Sequence, residues 1–146
     1  MAYLLAAIAG ILNMLQSGSN ATLHERLGVG PVIPALVVYA TGMLGVLAAA
    51  PFLWRAPGGF LANAPGLPWW AWIGGLMGAF YVVVTLTTAK GMGAGAFTAI
   101  TLTAAVVTSI ALDHFGLMGF DIRPATALRL LGGALMVAGV ALVARF

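Results

Sequence analysis

The residues best suited to binding chemistry are four neutral polar side chains on the first hydrophobic segment. Asn13, Gln16, Ser17 and Asn20 fall within an arc of about 100° if this segment is a helix, and His24 extends the same stripe. Amide and hydroxyl groups inside a bilayer need hydrogen-bond partners, so this face should point into protein or into a hydrated cavity. We interpret it as a face that binds a solute. The alternative is that these side chains only hold helices together.

Two further hydrophobic segments carry polar side chains at helical spacing. A hydroxyl on a helix can bond back to the preceding turn, so Thr residues are weak evidence when taken singly. Combined with the first segment, they predict a cavity lined by the first, third and fourth segments. The second segment has little polar character beyond Tyr39 and Thr41, so we expect it to support the others or to face lipid. The predicted substrate-binding residues are Asn13, Gln16, Ser17, Asn20, Tyr81, Thr85 and Thr101.

The ionisable side chains give no indication of an enzyme. The chain has three carboxylates, two His and no Cys, and these form no nucleophile–base pair and no metal-ligand set. We therefore predict no catalytic residue, no bound metal and no cofactor. No carboxylate lies in the middle of a hydrophobic segment, where proton-coupled membrane proteins place their acids.

One charged cluster follows the fourth hydrophobic segment. Asp113 and His114 end that segment, and Asp121 and Arg123 come shortly afterwards. Asp113 and His114 could form a gate. The alternative is an ion-pair network that orders the loop. Lys90, at the end of the third segment, is expected to extend its ammonium group toward the membrane surface.

The overall composition is that of an integral membrane protein. Hydrophobic residues make up 62% of the chain and charged residues 6%, with a mean hydropathy of +1.09. Soluble domains average about 25% charged residues. The pI near 10.0 reflects a formal charge of only +3 without a Lys/Arg cluster, so we expect no nucleic-acid partner.

The hydrophobic segments are long enough to cross a bilayer as helices. A spanning helix needs about 20 mostly apolar residues, and continuous apolar runs favour helices over the alternating pattern of barrel strands. We predict an all-α protein with one transmembrane domain over residues 1–146. Its five spans are expected at about 2–23, 32–54, 69–89, 94–112 and 125–144.

The positively charged residues are balanced between the two ends of these spans. With five spans, Arg55, Arg123 and Arg129 fall on the side of the N-terminus, and the opposite side has Arg26, Lys90 and Arg145. Orientation is normally set by an excess of Lys and Arg on the cytoplasmic side, and here neither side has one. A chain without a preferred orientation can insert both ways. We therefore predict a dual-topology, antiparallel homodimer, which forms a ten-helix inverted repeat.

The fifth segment differs from the polar segments. Between Arg129 and Arg145 it contains only aliphatic side chains and glycines, among them Gly132 and Gly139 one heptad apart. Small residues allow helix backbones to approach closely inside a bilayer. We predict that Gly132 and Gly139 lie in the dimer interface. The run Gly132-x-x-Leu135-Met136-x-x-Gly139-Val140 also resembles the dimerisation helix of small multidrug resistance transporters, and this resemblance adds Leu135 to the interface. Packing within one chain is the alternative.

Several motifs together resemble the YdcZ-like family of small bacterial inner-membrane proteins, within the drug/metabolite transporter superfamily. The resemblance covers essentially the whole chain. The motif in the first segment is Gln16-Ser17-Gly18-Ser19-Asn20-Ala21-x-Leu23, and that in the third is Gly74-Gly75-x-x-Gly78-Ala79-Phe80-Tyr81-Val82. The most recognisable is Asp113-His114-Phe115-Gly116-Leu117-Met118-Gly119, followed by Arg129-x-x-Gly132.

The resemblance implies a multi-pass protein of the bacterial inner membrane with five spans per chain. It also implies assembly as dual-topology homodimers, as pairs of oppositely oriented chains or as fused proteins. The leading hypothesis is a secondary transporter for a small polar solute, neutral or anionic, with its site between two inverted protomers in the lipid bilayer. The alternatives are a small channel and a non-transporting accessory subunit.

Overall fold

Five long helices account for most of the residues that the structure describes. A computed structural model describes residues 1–53 and 64–145, and over these residues the chain is helical without β-strands. Each long helix is long and apolar enough to cross a membrane. We label them α1 Ala2–Leu27, α2 Val32–Leu53, α3 Gly74–Met92, α4 Ala94–Phe115 and α5 Ala127–Arg145. The prediction of an all-α protein with five membrane-spanning segments is confirmed for this part of the chain.

The helix ends differ from the predicted spans where local chemistry moves them. Trp69–Ala71 form a 3-10 turn after Pro68, so α3 begins only at Gly74. The fourth helix continues to Phe115, because the residue that ends it is Gly116 in the left-handed conformation, φ +61° and ψ 33°. The predicted end of the second span at residue 54, and Arg55 of the charge balance, lie outside the described residues.

A single residue, Gly93, separates α3 from α4. Its φ is +84°, a conformation that glycine adopts at little cost and that strains the backbone of residues with a Cβ. The N–H of Gly93 donates to the carbonyl of Lys90 at 3.3 Å, and its own carbonyl accepts from Phe97 at 3.0 Å. The two helices are therefore joined without an intervening loop.

The helices belong to two compact units, with boundaries inside α1 and α3. The first, here called the α2 unit, comprises residues 15–87: the second half of α1, all of α2 and most of α3. Its buried residues are Ser17, Asn20, Ala21, Pro34, Val82, Thr85 and Leu86. The hydroxyl of Tyr39 on α2 lies 3.3 Å from where a Cβ at Gly78 of α3 would be, so glycine leaves room for that ring.

The second unit, here called the α4–α5 unit, comprises residues 1–14 and 88–146. Its helices α4 and α5 pack against each other along their length. At Gly133 an added Cβ would lie 3.3 Å from Cδ1 of Ile110, so the two backbones approach closely there. Phe97 and Thr103 of α4, together with Ala89 and Gly133, are the buried residues of this unit.

Candidate functional site

The polar stripe of α1 divides into a buried part and an exposed part. Ser17 and Asn20 are 4% and 6% exposed, whereas Asn13 and Gln16 are exposed. With about 100° between successive residues, Ser17 and His24 point to one side and Gln16 points to the neighbouring side. Asn20 lies between these two directions. The stripe is therefore shared between the packed face of α1 and a more open face.

The open face of α1 borders a cleft within the α2 unit. The cleft has a volume of about 440 Å³. Gln16, Ser19 and Asn20 bring amide and hydroxyl groups to it from α1, and Val37 and Val38 bring aliphatic groups from α2. The remaining lining residues are Leu23, Thr41 and Gly42. Two of the predicted substrate-binding residues, Gln16 and Asn20, thus line one cleft.

The second helix contributes half of the residues that line this cleft. Sequence reasoning assigned α2 a supporting or lipid-facing role and missed this contribution. Thr41 was visible as a polar residue, but one Thr beside a glycine makes no periodic polar pattern. Its hydroxyl is committed locally, because Oγ1 donates to the carbonyls of Val37 and Val38 at 3.0 Å each. The oxygen keeps lone pairs that can accept a hydrogen bond.

The two predicted residues of α3, Tyr81 and Thr85, differ in their exposure. Thr85 is 1% exposed, and its hydroxyl donates to the carbonyl of Tyr81 at 2.8 Å. It shares the buried face of α3 with Val82 and Leu86. Tyr81 is 37% exposed, so its ring remains accessible at the edge of that face. The hydroxyl of Thr85, one of the polar groups predicted to line the cavity, therefore has its hydrogen-bond partner within its own helix.

The remaining predicted residues, Asn13 and Thr101, lie in the α4–α5 unit. The hydroxyl of Thr101 donates to the carbonyls of Phe97 and Thr98 at 2.9 and 3.2 Å. Thr98 itself donates to the sulfur of Met14 on α1. That all seven predicted residues line a single substrate cavity stays a prediction.

His24 is a partly exposed side chain with one buried ring nitrogen. Its Nδ1 is shielded from solvent and has no hydrogen-bond partner among the described residues. The ring lies one helical turn beyond Asn20 on the packed side of α1. A buried nitrogen without a hydrogen-bond partner carries a desolvation cost. Nδ1 of His24 is therefore a group on α1 that would gain from a hydrogen bond. Sequence reasoning placed His24 on the stripe but left it out of the site.

An ion pair joins α4 to α5 in the α4–α5 unit. Nη2 of Arg129 donates to Oδ2 of Asp113 at 2.5 Å, and Nη1 donates to the carbonyl of Arg123 at 2.9 Å. The N–H of Arg123 donates in turn to the carbonyl of Asp113 at 2.8 Å. Arg123 enters this network through its backbone, and the cation is Arg129. Sequence reasoning missed that pairing because the two partners are far apart in the chain.

His114 helps to hold the same corner. Its Nδ1 accepts a hydrogen bond from the N–H of Ala125 at 3.2 Å, which places the proton of the neutral ring on Nε2. The ring also borders a groove of about 350 Å³ between α4 and α5, whose other lining residues are all apolar. These contacts favour the loop-ordering interpretation of Asp113 and His114. The gate stays an untested prediction.

The predicted dimer residues lie on the side of α5 that α4 does not cover. A Cβ added at Gly132 or Gly139 would meet nothing within 4 Å, and Leu135 is 63% exposed. The glycine that packs against α4 is Gly133. One side of α5 therefore packs against α4 through Gly133, and another side, with Gly132 and Gly139, is left uncovered. No group of three His, Cys, Asp or Glu residues that could hold a metal occurs within residues 1–53 and 64–145.

Comparison with known proteins identifies a family and a curated relative. Residues 1–142 match the family described as "Putative inner membrane exporter, YdcZ". The chain is 27% identical over 147 residues to the inner membrane protein YdcZ of Escherichia coli (strain K12), covering 99% of this chain and 94% of that protein. No solved structure matches the chain. The resemblance noted in the sequence is confirmed, and the chain is a multi-pass protein of the inner membrane.

Proposed function

Because the chain belongs to the YdcZ family of inner-membrane exporters, we propose that it is a secondary transporter for a small polar solute. The family is one of membrane transport proteins and is not an enzyme family. The observation that carries the finer proposal is the cleft beside α1. It combines the carboxamides of Gln16 and Asn20 with the hydroxyl of Ser19, opposite the aliphatic groups of Val37 and Val38. Such groups can both donate to and accept from a solute.

The lack of carboxylates among the residues that line the cleft favours a neutral or anionic solute over a cation. Transporters of organic cations and protons rely on acidic side chains within the membrane. The three carboxylates of this chain are Glu25, Asp113 and Asp121, and none of them lines the cleft. A cation in the cleft would lose hydration without gaining a counterion, which is costly in a bilayer.

We further propose that the working unit is a pair of inverted copies. The balanced Lys and Arg residues permit insertion in both orientations, and the uncovered face of α5 offers Gly132, Leu135 and Gly139 to a partner helix. Inverted repeats bring a substrate site to the bilayer midplane and allow rocking between two equivalent states. C-terminal reporter fusions test the orientation, and we expect both cytoplasmic and periplasmic signals. A signal from one side alone would contradict self-pairing by random insertion.

The transport activity is tested with purified protein in liposomes. A thermal-shift screen of uncharged and anionic metabolites first identifies a ligand that raises the melting temperature. Counterflow of that radiolabelled ligand should then saturate with its concentration. An ohmic current without saturation would favour the small channel, and activity that appears only with a co-purifying protein would favour the accessory subunit.

A variant pair connects the activity to the proposed site. Gln16→Leu keeps a similar volume but cannot hydrogen-bond a solute, so counterflow should fall by about tenfold or more. Thr87→Val is the matched control, because the hydroxyl of Thr87 is exposed and bonds only to its own helix. Equal loss in both variants would indicate a general effect on the fold, and full activity in Gln16→Leu would remove Gln16 from the site.

A further inference from the structure

We propose that the cleft between α1 and α2 binds an uncharged, amphiphilic part of the solute, with α1 holding the polar side and α2 the apolar side. This proposal rests on the proposed transport function and specifies the chemical class of the solute more closely. It also assigns a binding role to α2, which the sequence did not indicate.

The polar wall comes from one face of α1. Gln16, Ser19 and Asn20 lie three and four positions apart, so their side chains project from the same face of the helix. A carboxamide has two donor hydrogens and an acceptor oxygen, and a hydroxyl has one donor and two lone pairs. This wall can therefore bind hydroxyl, amide or carbonyl groups of a solute without a formal charge on either side.

The opposite wall is almost wholly apolar. Val37 and Val38 present branched aliphatic groups, and the hydroxyl proton of Thr41 is already bonded to their carbonyls. Thr41 can therefore offer the cleft its methyl group and the lone pairs of its oxygen, but no free donor. A solute that fits both walls has hydrogen-bonding groups along one edge and hydrocarbon along the other.

The volume of the cleft depends on Gly42. A Cβ at this position would meet nothing within 4 Å, so the space beside it is open. About 440 Å³ is within the range of small-molecule pockets, roughly 300–1,000 Å³. A larger side chain at Gly42 would project into that space without striking a neighbouring atom at its first carbon.

The absence of charge among the lining residues excludes ionic groups from the bound part of the solute. None of the eight residues around this cleft is ionisable. A carboxylate or ammonium entering it would lose water and meet no opposite charge among the lining residues, which is unfavourable. Within the neutral or anionic class, the solute is therefore uncharged in the part that contacts the cleft.

Thiol labelling tests the character of the cleft without knowledge of the solute. The native chain has no Cys, so Thr41→Cys introduces a unique thiol. Purified protein in liposomes is treated with three methanethiosulfonate reagents of similar size, which are neutral and hydrophilic, cationic or anionic. After normalisation to their rates with a free thiol in water, we expect the neutral reagent to react about tenfold faster than either charged one.

Met43→Cys is the matched control, because Met43 lies on the same helix about 200° around from Thr41, is 63% exposed and does not line the cleft. The neutral reagent should react with it far more slowly than with Thr41→Cys. Equal rates at the two positions would mean that the reagent enters from lipid, and no reaction at Thr41→Cys would mean that an acyl chain or protein fills the cleft. Equal normalised rates for all three reagents would also overturn the proposal.

A transport measurement separates this inference from the proposed function. Gly42→Leu should reduce counterflow of the ligand found by thermal shift by about tenfold or more. Ala40→Leu should leave it unchanged, because Ala40 is two positions earlier, on the opposite side of the helix from Gly42, and does not line the cleft. If the wild type transports and Gly42→Leu does so equally well, the subsite is overturned and the transport function stands. If the wild type transports nothing while Thr41→Cys shows the expected charge selectivity, the cleft stands and the transport function fails.

Discussion

Arg129, in the first turn of α5, holds Asp113 in the last turn of α4 through an ion pair that also encloses the backbone of Arg123. The two side chains are 33% and 21% exposed, so the pair is partly shielded from water. It ties together the ends of two packed helices and the loop between them. The charged motif at this corner therefore has a structural explanation that requires no solute.

Replacing the cation of this corner should weaken the fold. Arg129→Gln removes the ion pair and is expected to lower the free energy of unfolding by about 1–2 kcal/mol, because charge-assisted hydrogen bonds contribute that much when partly buried. Chemical unfolding in detergent micelles measures it. Arg123→Gln is the control, because Arg123 joins the network through its backbone alone. A larger loss in Arg123→Gln than in Arg129→Gln would contradict this assignment.

Gly116 should be intolerant of any side chain. Its φ of +61° disfavours other residues, and a Cβ there would lie 2.7 Å from Cγ1 of Ile122. Gly116→Ala is expected to lower the unfolding free energy by about 1–3 kcal/mol. Combining it with Ile122→Ala should recover the part due to the clash but leave the part due to backbone strain. Gly18→Ala, inside α1 with open space around it, should cost nothing.

Two glycines of α5 should respond to substitution in different ways. Gly139→Leu is expected to weaken dimerisation at unchanged monomer stability, because its Cβ points into open space on the uncovered face. Gly133→Leu should destabilise the chain itself, because its Cβ would press on Ile110. Single-molecule photobleaching in liposomes and unfolding in micelles separate the two effects. Unchanged dimerisation in Gly139→Leu would mean that this face contacts lipid.

His24 should matter more for transport than for stability. A buried Nδ1 without a partner does not stabilise the fold, so His24→Leu is expected to leave the unfolding free energy unchanged or raise it by up to about 1 kcal/mol. Counterflow should nevertheless fall, because α1 loses a hydrogen-bonding group beside Asn20. His24→Gln, which can still hydrogen-bond, should retain more activity than His24→Leu. Full transport by the leucine variant would leave His24 with a packing role alone.

The sequence was sufficient for the five helices, and insufficient for the contacts between them. Long apolar runs determine which segments span a bilayer, and that pattern does not depend on neighbours. Their ends depend on local details, such as the 3-10 turn that delays α3 until Gly74. The partner of Asp113 is set by how α4 and α5 pack, which the spacing of charges along the chain does not encode.

In the candidate site, too, the residues of one helix could be predicted from the sequence, but the contacts between helices could not. The stripe of α1 follows from helical periodicity alone, so Gln16 and Asn20 could be chosen from the sequence. The contribution of α2 could not, because Val37 and Val38 look like any lipid-facing residues until the helix is placed beside α1. Thr85 looked equally polar in the sequence, and only the structure gives its hydroxyl a partner within its own helix.

Thiol accessibility around α1 tests the central claim, that its polar face borders a hydrated, solute-binding cavity, most directly. Gln16→Cys and Asn20→Cys are compared with Leu15→Cys, which replaces a 65% exposed side chain outside the stripe. We expect an uncharged, water-soluble maleimide to label the first two in liposomes about tenfold faster than the third, because thiols react as thiolates in water. Equal labelling at all three positions, or slower labelling at Gln16 and Asn20, would contradict the account and leave these amides as contacts between helices.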